Sequence, residues 1–156
     1  MQGAGTPRPP GPARPRAGFR PAPVPAGAVV SAGWRERPYA PAPGTALCPF
    51  ADVPWDNGLE RVFGAGDRAF RVVLFRAGGG DGVRAYINEC PHVRIPFSFS
   101  PDVFCVHEID GRRDLICAHH TAMFHLDDGS CHDGPCKGQR LVAVDIRVDG
   151  ETVRIA

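Results

Sequence analysis

The sequence predicts an all-β fold of antiparallel strands. Short β-branched and aromatic runs recur, turn signals rich in Gly and Asp separate them, and no twelve-residue window shows an apolar period near 3.6. The strands fall within residues 45–156. Residues 46–48 and 59–63 are short candidates. Residues 70–76 (FRVVLFR) and 83–87 (VRAYI) flank the turn signal 77–82 (AGGGDG) and read as a hairpin. Residues 114–117 follow the turn-like stretch 110–112, and 123–126 precede Asp127-Asp128-Gly129. Residues 141–148 and 152–155 form a last hairpin around Asp149-Gly150, since Asp-Gly suits the tight turn of a hairpin. There is no repeat at solenoid period.

A chain of 156 residues fits one domain, and its charge is unevenly divided. Residues 1–44 hold eleven of the 17 prolines and six arginines against the single acid Glu36, a net +5. Residues 45–156 hold 12 Lys and Arg against 16 Asp and Glu, a net −4. The overall +1 therefore joins a basic extension to a mildly acidic body. Proline at that density removes backbone donors and forbids helix, so residues 1–44 read as a disordered, extended segment without core-forming capacity. Its spacing includes PxxP at Pro7 to Pro10 and Pro12 to Pro15, a docking pattern, although a plain solvated extension is the simpler reading. The acidic body argues against nucleic-acid binding. No apolar run approaches the ~20 residues needed to span a bilayer. No signal-peptide core is visible, so the expected compartment is the cytoplasm.

The informative chemistry lies in two loops. Cys90-Pro91-His92 follows the strand 83–87, and Cys117-Ala118-His119-His120 follows the strand at 114–116. Each Cys–His pair begins where a strand stops, which lets a rigid backbone hold ligands at a loop tip. Two thiolates and two imidazoles form a four-ligand set for a soft or borderline metal centre.

Cys-x-His followed by Cys-x2-His resembles the Rieske family of [2Fe–2S] proteins, in which two Cys bind one iron and two His the other. The flanking residues are similar as well: the approach 88–92 (NECPH), apolar Met123-Phe124 after the second pair, the turn Asp128-Gly129, and Gly134-Pro135 in place of the proline loop that covers the cluster. The resemblance spans residues 45–156 and implies an antiparallel β-sandwich with a two-loop cluster-binding subdomain. It also implies one [2Fe–2S] cluster per chain, held by Cys90, His92, Cys117 and His120. This chain departs from the pattern in two places. The link from His92 to Cys117 is long, at 24 residues, and residues 96–113 read as an insertion between the loops. Thr121 stands where the family has Gly, whose role there is to let backbone amides approach the cluster sulfurs.

A single zinc ion on these residues is the competing reading, with Cys131 and Cys136 as further ligands. Structural zinc favours Cys-x2-4-Cys pairs, and Cys-x-His is a cramped chelate. Cys-x2-His selects His120 as the ligand and leaves His119 as a packing residue. His107, His125 and His132 read as surface or hydrogen-bonded histidines, and Cys48 and Cys105 as buried small hydrophobes. Cys131 and Cys136 are open to three readings: a disulfide, zinc ligands, or free thiols beside the cluster. Some family members carry a disulfide between the ligand loops, and the corresponding positions here are Ile95 and His119. With a reducing compartment expected, free thiols are preferred.

No nucleophile–base constellation or Gly-rich dinucleotide fingerprint is present, so the chain reads as an electron carrier and not a catalyst. The resemblance implies a Rieske-type ferredoxin that passes single electrons from a reductase to an oxygenase-like acceptor. The alternative within the family is a small electron-transfer subunit of an oxygenase or a nitrite-reductase-like complex. Outside it, the alternative is a zinc-stabilised β module with no redox role.

Overall fold

The computed structural model describes residues 32–77 and 82–156. The expected disorder of residues 1–31 and the tip of the 77–82 turn lie outside the described residues. The described residues form ten strands: β1 (Ala46–Pro49), β2 (Leu59–Phe63), β3 (Phe70–Ala77), β4 (Gly82–Ile87), β5 (Cys105–Ile109), β6 (Arg112–Ile116), β7 (Met123–His125), β8 (Cys131–Asp133), β9 (Ile146–Asp149) and β10 (Thr152–Ile155). They make three antiparallel sheets in the orders β1-β10-β9, β2-β3-β4 and β5-β6-β7-β8. The all-β expectation holds, with only three-residue 3-10 turns besides the strands among the described residues.

The middle sheet separates two cores, and the run FRVVLFR explains how. Side chains alternate across a strand, so β3 can serve both faces. Phe70, Val72 and Leu74 join Leu47, Val153 and Ile155 in a basal core. Val73, Phe75 and Ala77 join Leu115, Phe124 and Leu126 in a second core under the two Cys–His loops. Tyr86 on β4 reaches into the second core and donates its hydroxyl to the Leu126 carbonyl at 2.9 Å. Burial pushes that phenol well above its ordinary pKa, and a buried hydroxyl needs such a partner.

The structure corrects three expectations. The first concerns residues 32–44, placed in a segment without core-forming capacity. Trp34 is only 1% exposed and packs in the basal core, its ring 5.7 Å from that of Phe70. One large aromatic buries enough surface to order a short strap despite its prolines. Arg35 reinforces it by donating to Asp145 Oδ2 at 3.2 Å and to the Ala156 carbonyl. Second, the segment read as an insertion between the loops contains β5, which pairs with β6 across Asp110-Gly111. Both turn residues have left-handed φ, 52° and 73°, as a type I′ hairpin requires. Third, residues 141–148 do not form one strand. Only β9 pairs with β10, while the Val142 carbonyl accepts from the Ile87 N–H and the Val144 N–H donates to Ala85, so residues 142–144 run beside β4.

Candidate metal centre

The strands end in two loops with the same closure. In residues 90–95 the Cys90 N–H donates to the Ile95 carbonyl and the Arg94 N–H donates to the Cys90 carbonyl, both at 2.8 Å. In residues 117–122 the Cys117 N–H donates to the Ala122 carbonyl and the Thr121 N–H to the Cys117 carbonyl, both at 2.9 Å. The fifth residue of each loop turns left-handed: Arg94 at φ 57° and Thr121 at φ 55°. A left-handed conformation costs an L-residue about 1–2 kcal/mol, most for a β-branched one. Position 121 therefore calls for Gly on backbone grounds, and Thr occupies it under strain.

Buried polar groups brace the first loop from below. Asn88 Oδ1 accepts from the Phe97 N–H at 2.9 Å, and Asn88 Nδ2 donates to Glu60 Oε1 at 2.8 Å. Arg71 pairs with that glutamate at 3.3 Å. The Phe97 carbonyl then accepts from the Ala118 N–H, which ties the two loops together. The second loop is held from above. Gly134, at φ 92°, lies so near that a Cβ there would sit 2.7 Å from the Ala122 Cα. Of these braces only Gly134 was expected from the sequence, as part of the covering loop. Asn88, directly before the first loop in NECPH, carried a local signal as a polar residue at a strand end. Glu60 carried none, because its partner lies 28 residues away.

Within this frame the donors sort into like pairs. Cys90 and Cys117 are each 1% exposed and interact with one another. Burial is the main reason that the Cys90 thiol is pushed up to about 11, with the neighbouring Cys117 adding to it. Bound metal cations reverse that balance and deprotonate coordinating thiols. His92 and His120 are exposed, their ring centroids 4.8 Å apart and their planes at 89°. His119 packs its ring 4.3 Å from that of Phe99, and its buried Nε2 has no hydrogen-bond partner among the described residues. The set of three such donor atoms lying mutually within 4.8 Å among the described residues is Asp114, His125 and His132. Thiols inside and imidazoles outside fit a two-iron group that takes two Cys on one iron and two His on the other.

Cys131 and Cys136 are buried free thiols 3.3 Å apart, and Cys136 also reaches Cys90. Burial first, then the neighbouring Cys131, pushes Cys136 up to about 12. Cys48 is buried as expected, whereas Cys105 is exposed, because β5 is one of the two edge strands of its sheet and turns that position to solvent. His107 is exposed on β5, while His125 and His132 both bond Asp114.

The model of the Rieske [2Fe-2S] domain family matches residues 45–148. A search of curated proteins finds no match. Among solved structures, the chain is similar to the ferredoxin of carbazole 1,9a-dioxygenase from Nocardioides aromaticivorans IC177, at 20% identity and TM-score 0.53, over 74% of this chain and 98% of that one. It is similar to the E. coli protein NirD at 21% identity and TM-score 0.53, over 72% and 94% of the two chains. A chain from the complex of reduced oxygenase and oxidized ferredoxin in carbazole 1,9a-dioxygenase gives 21% identity and TM-score 0.51, over 72% and 100%. At such identities these likenesses show a shared fold. The match to the family model, over two thirds of the chain, decides membership: this chain belongs to the Rieske [2Fe–2S] domain family, binds a [2Fe–2S] cluster and carries single electrons.

Proposed function

We propose that Cys90 and Cys117 hold the inner iron and His92 and His120 the outer iron. On this reading the chain relays single electrons from a reductase to an oxygenase-type acceptor in a reducing compartment. One observation carries the reading: the paired thiols are buried while the paired imidazoles stand exposed at the loop tips. When bound, the cluster supplies one-electron redox chemistry, at a potential raised by its neutral imidazole ligands.

The chain's own residues do the rest. Phe97 and the residues of the second core keep water from the thiols, and the two histidine rings offer the edge through which a partner exchanges an electron. Around them Val93 (45% exposed) and Phe99 (75%) make a small apolar rim beside the exposed Arg94, as suits a weak and transient contact. The fold shared with a dioxygenase ferredoxin supports the class of acceptor.

The test is anaerobic purification with iron counting and electron paramagnetic resonance of the dithionite-reduced protein. Two irons per chain and a Rieske-type signal are expected. Cys90→Ser, Cys117→Ser, His92→Ala and His120→Ala should each lose most of the iron, and His119→Ala should keep it. A colourless zinc protein, or iron lost with His119 and kept without His120, overturns the assignment.

A further inference from the structure

We propose that Asp114, His125 and His132 form a second metal site, for a borderline divalent ion such as Zn2+, apart from the two ligand loops. The three residues stand in one row across neighbouring strands. Asp114 on β6 is directly opposite His125 on β7, and His132 on β8 comes next, at an irregularity in the β7–β8 register. Their sequence neighbours Leu115, Phe124 and Cys131 face the core, so these three side chains project from the other face of the sheet.

The geometry is that of a ligand set. His125 Nδ1 lies 2.7 Å from Asp114 Oδ1, and His132 Nε2 lies 2.9 Å from Asp114 Oδ2. The two rings stack with centroids 4.1 Å apart and planes 13° apart, and the three donor atoms lie mutually within 4.8 Å. Around a tetrahedral zinc with bonds of about 2.0–2.1 Å, neighbouring donors sit about 3.3 Å apart. The two imidazoles face different oxygens of the carboxylate, so admitting the ion opens both hydrogen bonds and turns one Asp114 oxygen toward both nitrogens, a rearrangement within a set already no wider than 4.8 Å.

Charge gives the reason for an ion. Asp114 is 3% exposed, and among the described residues its ion-pair partners are these two imidazoles, with no Lys or Arg. A buried carboxylate without a cation carries a heavy desolvation penalty. Neutral imidazoles donate hydrogen bonds to it but supply no charge. A divalent ion takes the carboxylate and the lone pairs of His125 Nδ1 and His132 Nε2, each neutral imidazole then carrying its one proton on the other ring nitrogen. Imidazole with carboxylate suits zinc and its neighbours better than calcium or magnesium. The histidine side chains are 21% and 32% exposed, which leaves a solvent side where water completes the shell. Bound there, the ion would clamp β6, which leads to Cys117, to β8, which leads into the covering loop.

The experiment uses the full-length, cluster-loaded protein, cleared of stray zinc by a chelator that leaves the visible spectrum intact. Zn2+ is titrated by calorimetry, and zinc and iron are counted after desalting. One zinc per chain is expected at unchanged iron content, with a raised thermal midpoint. His132→Ala and Asp114→Asn should each weaken zinc binding about tenfold or more without altering the visible spectrum. The Cys131→Ser, Cys136→Ser double variant should bind zinc as the parent does. The proposal fails if no zinc is retained, if both His132→Ala and Asp114→Asn retain it at parental affinity, or if it is lost with the two thiols. Should Asp114→Asn not fold, His132→Ala on the outer strand decides.

Discussion

In the first ligand loop the residue four places beyond the cysteine is Arg94, and in the second it is Thr121; both turn left-handed, and both donate their N–H to the cysteine carbonyl. The backbone closure is one local solution used twice. What differs is the support. A buried chain of Glu60, Asn88 and Phe97 carries the first loop from beneath, whereas Gly134 presses on the second from above. Local closure thus shapes each loop, and distant residues decide how firmly it is held. The two loops should accordingly fail in different ways.

The largest expected effect lies outside both loops and separates stability from site geometry. Trp34→Ala should destabilise the fold by about 3–5 kcal/mol, the range for removing a buried large aromatic. Denaturant unfolding measures it, and the reduction potential of the surviving folded protein should not move. Gly134→Ala should come next, at about 2–5 kcal/mol. It combines a left-handed φ with a Cβ forced against backbone. Its counterpart Asn88→Ala should cost about 2–4 kcal/mol by leaving the Phe97 N–H and the Glu60 carboxylate short of a partner. Hydrogen exchange should then show 117–122 opening first in Gly134→Ala and 90–95 first in Asn88→Ala. The same order of opening in both variants would dissolve the comparison.

A third test concerns the second loop's chemistry. High-potential Rieske sites place Ser and Tyr where this chain has Ala122 and Phe124, both fully buried and neither able to donate through its side chain. Extra negative charge on reduction makes a donor worth more in the reduced state. A bond to a charged acceptor is worth roughly 1.5–3 kcal/mol, which bounds the effect near 60–130 mV per hydroxyl. The potential should therefore lie toward about −150 mV and not +300 mV. Ala122→Ser or Phe124→Tyr should raise it by less than that bound. Protein-film voltammetry reads it, and a parental value well above zero contradicts the argument.

The smallest effect compares the two left-handed residues directly. Thr121→Gly should stabilise by about 1 kcal/mol, the strain relieved exceeding the entropy that Gly loses on folding. Arg94→Gly should come out near zero, since Arg94 is unbranched at Cβ and its ion pair with Glu89, at 3.6 Å, is given up. Equal shifts in thermal midpoint for the two would mean that β-branching contributes nothing here.

What could be read beforehand follows from where the stabilising information resides. β10 matches its expected bounds because its apolar and polar positions alternate against a core within the strand itself, and β2 matches through its apolar ends Leu59 and Val62-Phe63, although the one residue it buries is Glu60. β5 escaped notice because its side chains face solvent, and it exists through a turn conformation and a partner strand. The two Cys–His pairs stood out by spacing alone. Their sorting into an inner thiol pair and an outer imidazole pair, and the bracing by Glu60, arise only when residues far apart in sequence meet. Trp34 was hidden by its neighbours: an average over a proline-rich stretch says nothing of the one side chain that docks.

The strap around Trp34 also touches the first loop. Arg37 grips Glu89, the residue before Cys90, through both guanidinium nitrogens at 2.9 and 3.3 Å. The N-terminal segment therefore works as a splint, set on the basal core at one end and against the first loop at the other. A protease nicking the chain between Trp34 and Thr45 would cut no strand, yet it would loosen Arg37 from Glu89, leaving that carboxylate to Arg94 alone, and unseat a tryptophan in the same event. Fading of the visible colour during limited proteolysis would then report a cut made far along the chain from any cysteine.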